Sequence, residues 1–200
     1  MKNSILLLTI ALLLFACKDN PAVKKVNKAR ENVSNTQKII KESTKMQDDI
    51  KDLSETTPLT NDEMRDWLPS EVDGMKRTAF KTGAMGMMNI ASVEATYTSE
   101  DRSRSFKVEV LDGAGEMGAM ATVGLRMAFS MDFEEETETK TRKTVTKNGV
   151  KAIEEYDKRR NRSVVQLFHN GRFYVQATGE NMEINEVWGL IDKMELDNLG

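Results

Sequence analysis

The chain has 200 residues, with 29 Lys and Arg against 32 Asp and Glu, one His and one Cys. A net charge of -3 lacks the basic excess that a nucleic-acid partner demands. One His and one Cys cannot supply the ligands of a zinc site, and GxxxxGK[ST] does not occur, so no metal and no cofactor is expected.

The chain opens with one positive charge, Lys2, before the run Ser4 to Ala16, in which only Ser4 and Thr9 are polar; Lys18 and Asp19 end it. A membrane-spanning helix needs about 20 apolar residues and a signal-peptide h-region about 7–15, so this run fits the second. Leu14-Phe15-Ala16-Cys17 then places the single thiol directly after a small residue. This stretch resembles the lipobox that signal peptidase II cuts in bacterial lipoproteins, with Phe15 bulkier than the usual residue at its position.

The resemblance implies that residues 1–16 are a signal peptide and that Cys17 is the site of lipid attachment. It also implies a protein held on a bilayer in the cell envelope. Acyl chains bury methylenes at about 0.8 kcal/mol each, so two or three of them anchor permanently. Lys18, where an Asp would resemble an inner-membrane retention signal, favours the outer membrane. Lys18-Asp19 also resembles a surface-export signal, although Asn20 stands where that signal has a second acid, which leaves surface exposure open. Loss of residues 1–16 removes Lys2 and leaves 28 basic against 32 acidic side chains, a charge of -4. With Cys17 acylated, no thiol remains for a disulfide.

Asn20-Pro21 can start a helix. From there Val26, Ala29, Val33, Thr36, Ile40, Ser43, Met46, Ile50 and Leu53 recur at spacings of three and four among charged residues. This pattern predicts a narrow apolar stripe on a charged helix, so residues 17–57 read as an acylated helical spacer. A coiled coil, a partner-binding helix or a helix lying on the bilayer are the alternatives. Ala, Thr and Ser in the stripe argue against a strong coiled coil. "SETTPLTND", Ser54 to Asp62, reads as a polar linker, and Thr60-Asn61-Asp62-Glu63 as the capping box of a short helix ending near Pro69.

Residues 58–200 read as one globular domain. "NIASVEATYT" and "RSFKVEVLDG" alternate apolar and polar residues around Ser99–Ser103. Further strand pairs flank Asn148-Gly149 and Asn170-Gly171, both strong hairpin signals. Between them Gly115 to Met131 is almost wholly apolar, with Glu116 at its start and Arg126 its one charge further in, which predicts a buried central helix. Gly115, Gly118, Ala121 and Gly124 would let it approach the sheet closely. Near the C-terminus, Ile184, Val187, Trp188 and Ile191 form a helical stripe capped by Asn181. The fold class is therefore α+β, a mainly antiparallel sheet of hairpins packed by two helices. This order of elements resembles the PsbP/Mog1 type of α-β-α sandwich across residues 60–200, which implies a non-catalytic fold serving assembly or protein binding.

Two regions stand out as a candidate ligand or partner surface. Met85, Met87 and Met88, with Met117, Met120, Met127 and Met131, gather seven of the 13 methionines. Soft thioethers can hold Cu(I), but they also fill cores and line adaptable binding grooves. Lys158, Arg159, Arg160 and Arg162 could contact an anion or lipid headgroup, or simply form a solvated loop. A Ser-His-Asp triad would need His169, which the hairpin pattern places as a solvent-facing strand end. The expected function is an envelope lipoprotein with a non-catalytic domain that binds or scaffolds an envelope protein. Carriage of a lipid or small apolar ligand in a Met-rich pocket is the alternative. A carboxylate-based hydrolase would require two acids converging in a cleft.

Overall fold

The computed structural model describes residues 41, 43–83 and 90–200. Cys17, most of the expected spacer, and the stretch with Met85, Met87 and Met88 lie outside the described residues. Two compact units divide the chain, Met1–Met46 and Gln47–Gly200. Of the first, residues 41 and 43–46 are described, and they are helical. The second takes in residues 47–57, which composition assigns to the spacer.

In the larger unit, residues 47–55 are helical, with Ile50 and Leu53 half-buried. Helix α1 (Asn61–Trp67) follows with the expected capping box. Glu63 N donates to Thr60 Oγ1 at 3.2 Å, and Thr60 N donates to Glu63 Oε2 at 2.7 Å. Strands β1 (Glu71–Val72), β2 (Met75–Thr82), β3 (Ser92–Thr98) and β4 (Ser105–Asp112) form an antiparallel meander. Helix α2 (Gly115–Ser130) then crosses over to a second meander. This comprises β5 (Glu134–Glu136), β6 (Lys140–Lys147), β7 (Val150–Asp157), β8 (Arg162–His169) and β9 (Phe173–Glu180). Helix α3 (Ile184–Lys193) and a short 3-10 turn, Leu196–Asn198, close the chain.

The strands make one nine-stranded sheet in the order β1-β2-β3-β4-β9-β8-β7-β6-β5. The meanders join where β4 pairs β9, from Ser105↔Glu180 to Asp112↔Phe173. The turn signals are realised: Asn148 and Gly149 both have positive φ, 52° and 80°, in the two-residue loop between β6 and β7. Right-handed strand twist favours such turns, and Asn and Gly tolerate them best.

Successive strand residues face opposite sides. One side carries Val93, Ala95, Tyr97, Phe106, Val108, Val165, Val175 and Ala177, all in the main core with Met64 of α1 and Val187, Trp188 and Ile191 of α3. On the other, Phe168 of β8 meets Phe129 of α2 edge-on, ring centroids 5.3 Å apart. The Arg126 guanidinium lies 4.4 Å from the same Phe168 ring. Helices thus cover both faces.

Three local expectations are corrected. The cap of α3 is Glu183, not Asn181. Glu183 N donates to Glu186 Oε2 at 2.8 Å, while Asn181, at φ 56°, donates its side-chain NH2 to Ser103 O across the sheet end. His169 does not face solvent, because the C-terminal turn folds over it and brings Asp197 Oδ1 to 3.3 Å from Nε2. Helix α2 is not buried all round but one-sided, as described next.

Candidate functional site

Helix α2 buries Gly118, Ala119, Thr122 and Phe129. Its outward face carries Met117, Met120 and Met127, with Met131 at the C-cap, 39%, 64%, 57% and 60% exposed. Their spacing sets all four on one side, with Ala121 and Gly124 also exposed between them. The sorting follows from close approach. A Cβ on Gly118 would lie 2.6 Å from Asp112 O, whereas one on Gly124 would meet nothing within 4 Å. Near the start of the helix only small side chains fit against the backbone before it, so the long thioethers there are turned out. Of the four expected close-approach residues, Gly118 plays that part on the sheet side, while Ala121 and Gly124 face out. Glu116 flanks the stripe, and the chain beyond its end, Asp132 to Glu138, is acidic, with β5 an exposed sheet edge.

The start of α2 is fixed by a buried ion pair. Asp112, with no exposed surface, accepts from Arg172 Nε at 2.8 Å and Nη2 at 2.7 Å, and from Leu59 N and Ala114 N at 2.8 and 2.9 Å. Arg172 Nη2 also reaches Thr57 O at 3.2 Å, and Gly115 N donates to Thr56 O at 2.9 Å. The Asp112 hydrogen bonds raise the Arg172 guanidinium further above its ordinary value, against the opposing effect of burial. The polar stretch read as a linker is therefore stitched to the domain.

Beside α2, the same sheet face bears a polar cluster. Glu94 of β3 and Glu109 of β4 are cross-strand partners. Lys107 Nζ lies 3.0 Å from Glu109 Oε1 and 3.6 Å from Glu94 Oε2. Gln176 Nε2 donates to Glu109 Oε2 at 2.8 Å. Burial pushes the Glu109 carboxyl up, but its contacts with Lys107, Glu94 and Gln176 outweigh this and hold it below the usual range. Burial, then the Glu109 charge, pushes the Tyr174 phenol up to about 12 against the pull of Arg142. These side chains edge a groove of about 200 Å³. A second cavity of about 200 Å³ lies between His169, Trp188 and the C-terminal turn. Among the described residues, no methionine lines either one.

The basic run occupies the β7–β8 turn. Arg159 N and Arg160 N donate to Asp157 Oδ1, at 3.0 and 3.2 Å. Lys158 pairs with Glu136 at 3.1 Å and Arg162 with Glu180 at 3.0 Å. Local carboxylates thus engage two of the four expected cations, and nothing brings this turn to the α2 methionines. Sequence reasoning missed the groove, because its walls come from β3, β4 and β9, far apart in the chain. Among the described residues, no group of three or more His, Cys, Asp or Glu could hold a metal ion. Nor is any helix among them long and apolar enough to cross a membrane.

No protein-family model matches the chain, and no curated protein matches it. It is similar to a GTP-binding regulator from Thermotoga maritima, known from a crystal structure at 1.75 Å. That likeness has 12% identity and a TM-score of 0.31, over 68% of this chain and 84% of that one. At that level it bears on neither fold nor function.

Proposed function

We propose that this chain is a lipoprotein held by acylated Cys17 on the cell envelope, on the outer membrane, whose domain binds another envelope protein without catalysis. Residues 17–46 act as the spacer between bilayer and domain, since residues 47–57 belong to the larger unit. The observation that carries the binding reading is the outward face of α2. Large apolar side chains are rarely gathered on solvent-facing surface without a role, and flexible Met adapts to partner shape. Ala121 and Gly124 leave room between the thioethers for a partner helix to approach. The acidic residues at both ends of the stripe complement a helix with basic residues flanking apolar ones.

Two experiments test this. In Cys17→Ser, palmitate labelling and membrane retention are expected to vanish; a variant that still pellets with membranes refutes the anchor. A photo-crosslinker at position 120 or 127 of the full-length protein in intact cells should give one protein adduct, and a crosslinker at the exposed Lys76 none. Met117→Lys with Met131→Lys should abolish the adduct, because a basic partner is then repelled. Adducts only with lipid would instead favour carriage of an apolar ligand.

A further inference from the structure

We infer that the groove beside α2 is a binding site for a primary ammonium group on a short aliphatic stem. The groove runs over β3, β4 and β9, walled by Ser92, Glu94, Glu109, Leu111, Tyr174 and Gln176. Its volume of about 200 Å³ is below the roughly 300–1,000 Å³ of sites for drug-sized ligands, so a side chain or a small amine fits it.

Its polar groups are unequally occupied. Both oxygens of Glu109 are engaged, Oε1 by Lys107 and Oε2 by Gln176. The Gln176 Oε1 accepts from Gln166 at 2.7 Å and from Tyr174 at 3.3 Å. Glu94 meets its neighbour Glu109 and has only the longer of the two Lys107 contacts, at 3.6 Å. Two residues before it on the same sheet face, Ser92 is 8% exposed and its hydroxyl has no hydrogen-bond partner among the described residues. Buried hydroxyls are almost always paired, so an unpaired one on a cavity wall marks a position where a ligand completes the bonding.

The charge sets the ligand class. Glu94, Glu109 and Lys107 sum to one negative charge, and Arg142, which also acts on Tyr174, is answered by Glu155 at 3.8 Å, so a cation is favoured and a carboxylate or phosphate is opposed. The ammonium donates to Glu94 and to the Ser92 oxygen, while Leu111 and the Tyr174 ring line the stem. Lys107 already offers such a head to the same carboxylates and is thus an internal competitor. The site stands apart from the docking reading of α2, since no α2 residue lines it.

Calorimetric titration of the full-length protein with n-butylammonium should show saturable binding, and titration with n-butanol or butyrate none. Glu94→Gln, nearly isosteric, is expected to weaken it about tenfold, the worth of one charge-assisted hydrogen bond, and Ser92→Ala several-fold. Lys107→Met should tighten it, a gain that a merely structural lysine would not give. Nα-acetyl-lysine methyl ester separates the sources. Tighter binding than butylammonium, lost in Glu94→Gln, makes a partner's lysine the occupant, and weaker binding makes it a free amine. No heat with either amine, or equal affinity in the wild type and Glu94→Gln, overturns the site.

Discussion

Helix α3 meets the sheet through its largest side chains, burying Val187, Trp188, Leu190 and Ile191. Helix α2 meets the opposite face through Gly118, Ala119 and Thr122, with Phe129 the one large exception, and turns its methionines to solvent. Each large apolar side chain that α3 buries is worth about 1.5–3 kcal/mol. Glycine and alanine bury little, so α2 must be held by other means. Those means are the Asp112 clamp at its start and the Phe129–Phe168–Arg126 contacts near its end. Apolar composition alone thus does not say which side of a helix faces in; the closeness of the backbones does.

The largest effects should come from the element that holds each helix. Trp188→Ala empties the α3 interface and loses the indole donor to Glu154 Oε1 at 2.8 Å; about 3–5 kcal/mol of stability should go. Asp112→Ala leaves Arg172, whose side chain is 20% exposed, without its counter-charge, and removing one partner of a buried pair costs about 3–5 kcal/mol. Urea denaturation measures both. If Asp112→Ala costs well under 1 kcal/mol, α2 is not held by the clamp and the contrast between the helices fails.

The two faces also differ in what surrounds their tyrosines. Tyr97, on the α3 side, is pushed to about 12 by burial, with Arg77 opposing. Tyr174, beside α2, is pushed to about 12 by burial and by Glu109. Both phenols keep their protons longer in the folded state than in the unfolded one. Their contribution to stability is therefore complete below about pH 10 and lost as pH rises towards 12. Spectrophotometric titration should show both midpoints, and Glu109→Gln should lower only that of Tyr174. Equal movement of both would mean that the charge does not act locally on the groove.

Local chemistry made the hairpins and α3 legible. Asn-Gly at 148–149 and 170–171 demanded positive φ, and Ile184, Val187, Trp188 and Ile191 matched one helical face. The capping box at Thr60 and Glu63 was equally plain, since both its partners lie within four residues. The orientation of α2 was not legible, because Gly115 to Met131 is apolar in every direction and only the approach of Asp112 O to Gly118 breaks the tie. Nor could the sequence bring Glu94, Glu109 and Tyr174 together, as their meeting depends on strand order and register. His169 was misplaced for the same reason: the turn that covers it comes nearly thirty residues later.

Two glycines of α2 sharpen the contrast further. Gly118→Ala forces a Cβ to 2.6 Å from a backbone oxygen, and overpacking of this kind costs about 1–3 kcal/mol. Gly124→Ala adds a methyl to open space on the same helix. It should stabilise by about 0.5–1 kcal/mol through helix propensity and a less flexible unfolded chain. Opposite signs in thermal melts of the two variants would confirm which side of α2 faces the sheet. Equal signs would reject that assignment.

The smallest effect on stability is expected from the most apolar residues of α2. Exposed positions without special contacts tolerate substitution within about 0.5 kcal/mol, so Met117, Met120, Met127 and Met131, each changed to Gln, should leave the urea midpoint nearly unmoved. On the α3 side, changes of like size at Val187 or Ile191 remove buried contacts and should not be silent. If the four Gln variants are stable yet lose the photo-crosslinked adduct, the thioethers serve a partner and not the fold. If they unfold the domain, that face is already buried in the isolated protein, and docking there is excluded. Stability and binding should therefore separate on α2, where size decides what faces outward, and stay joined on α3.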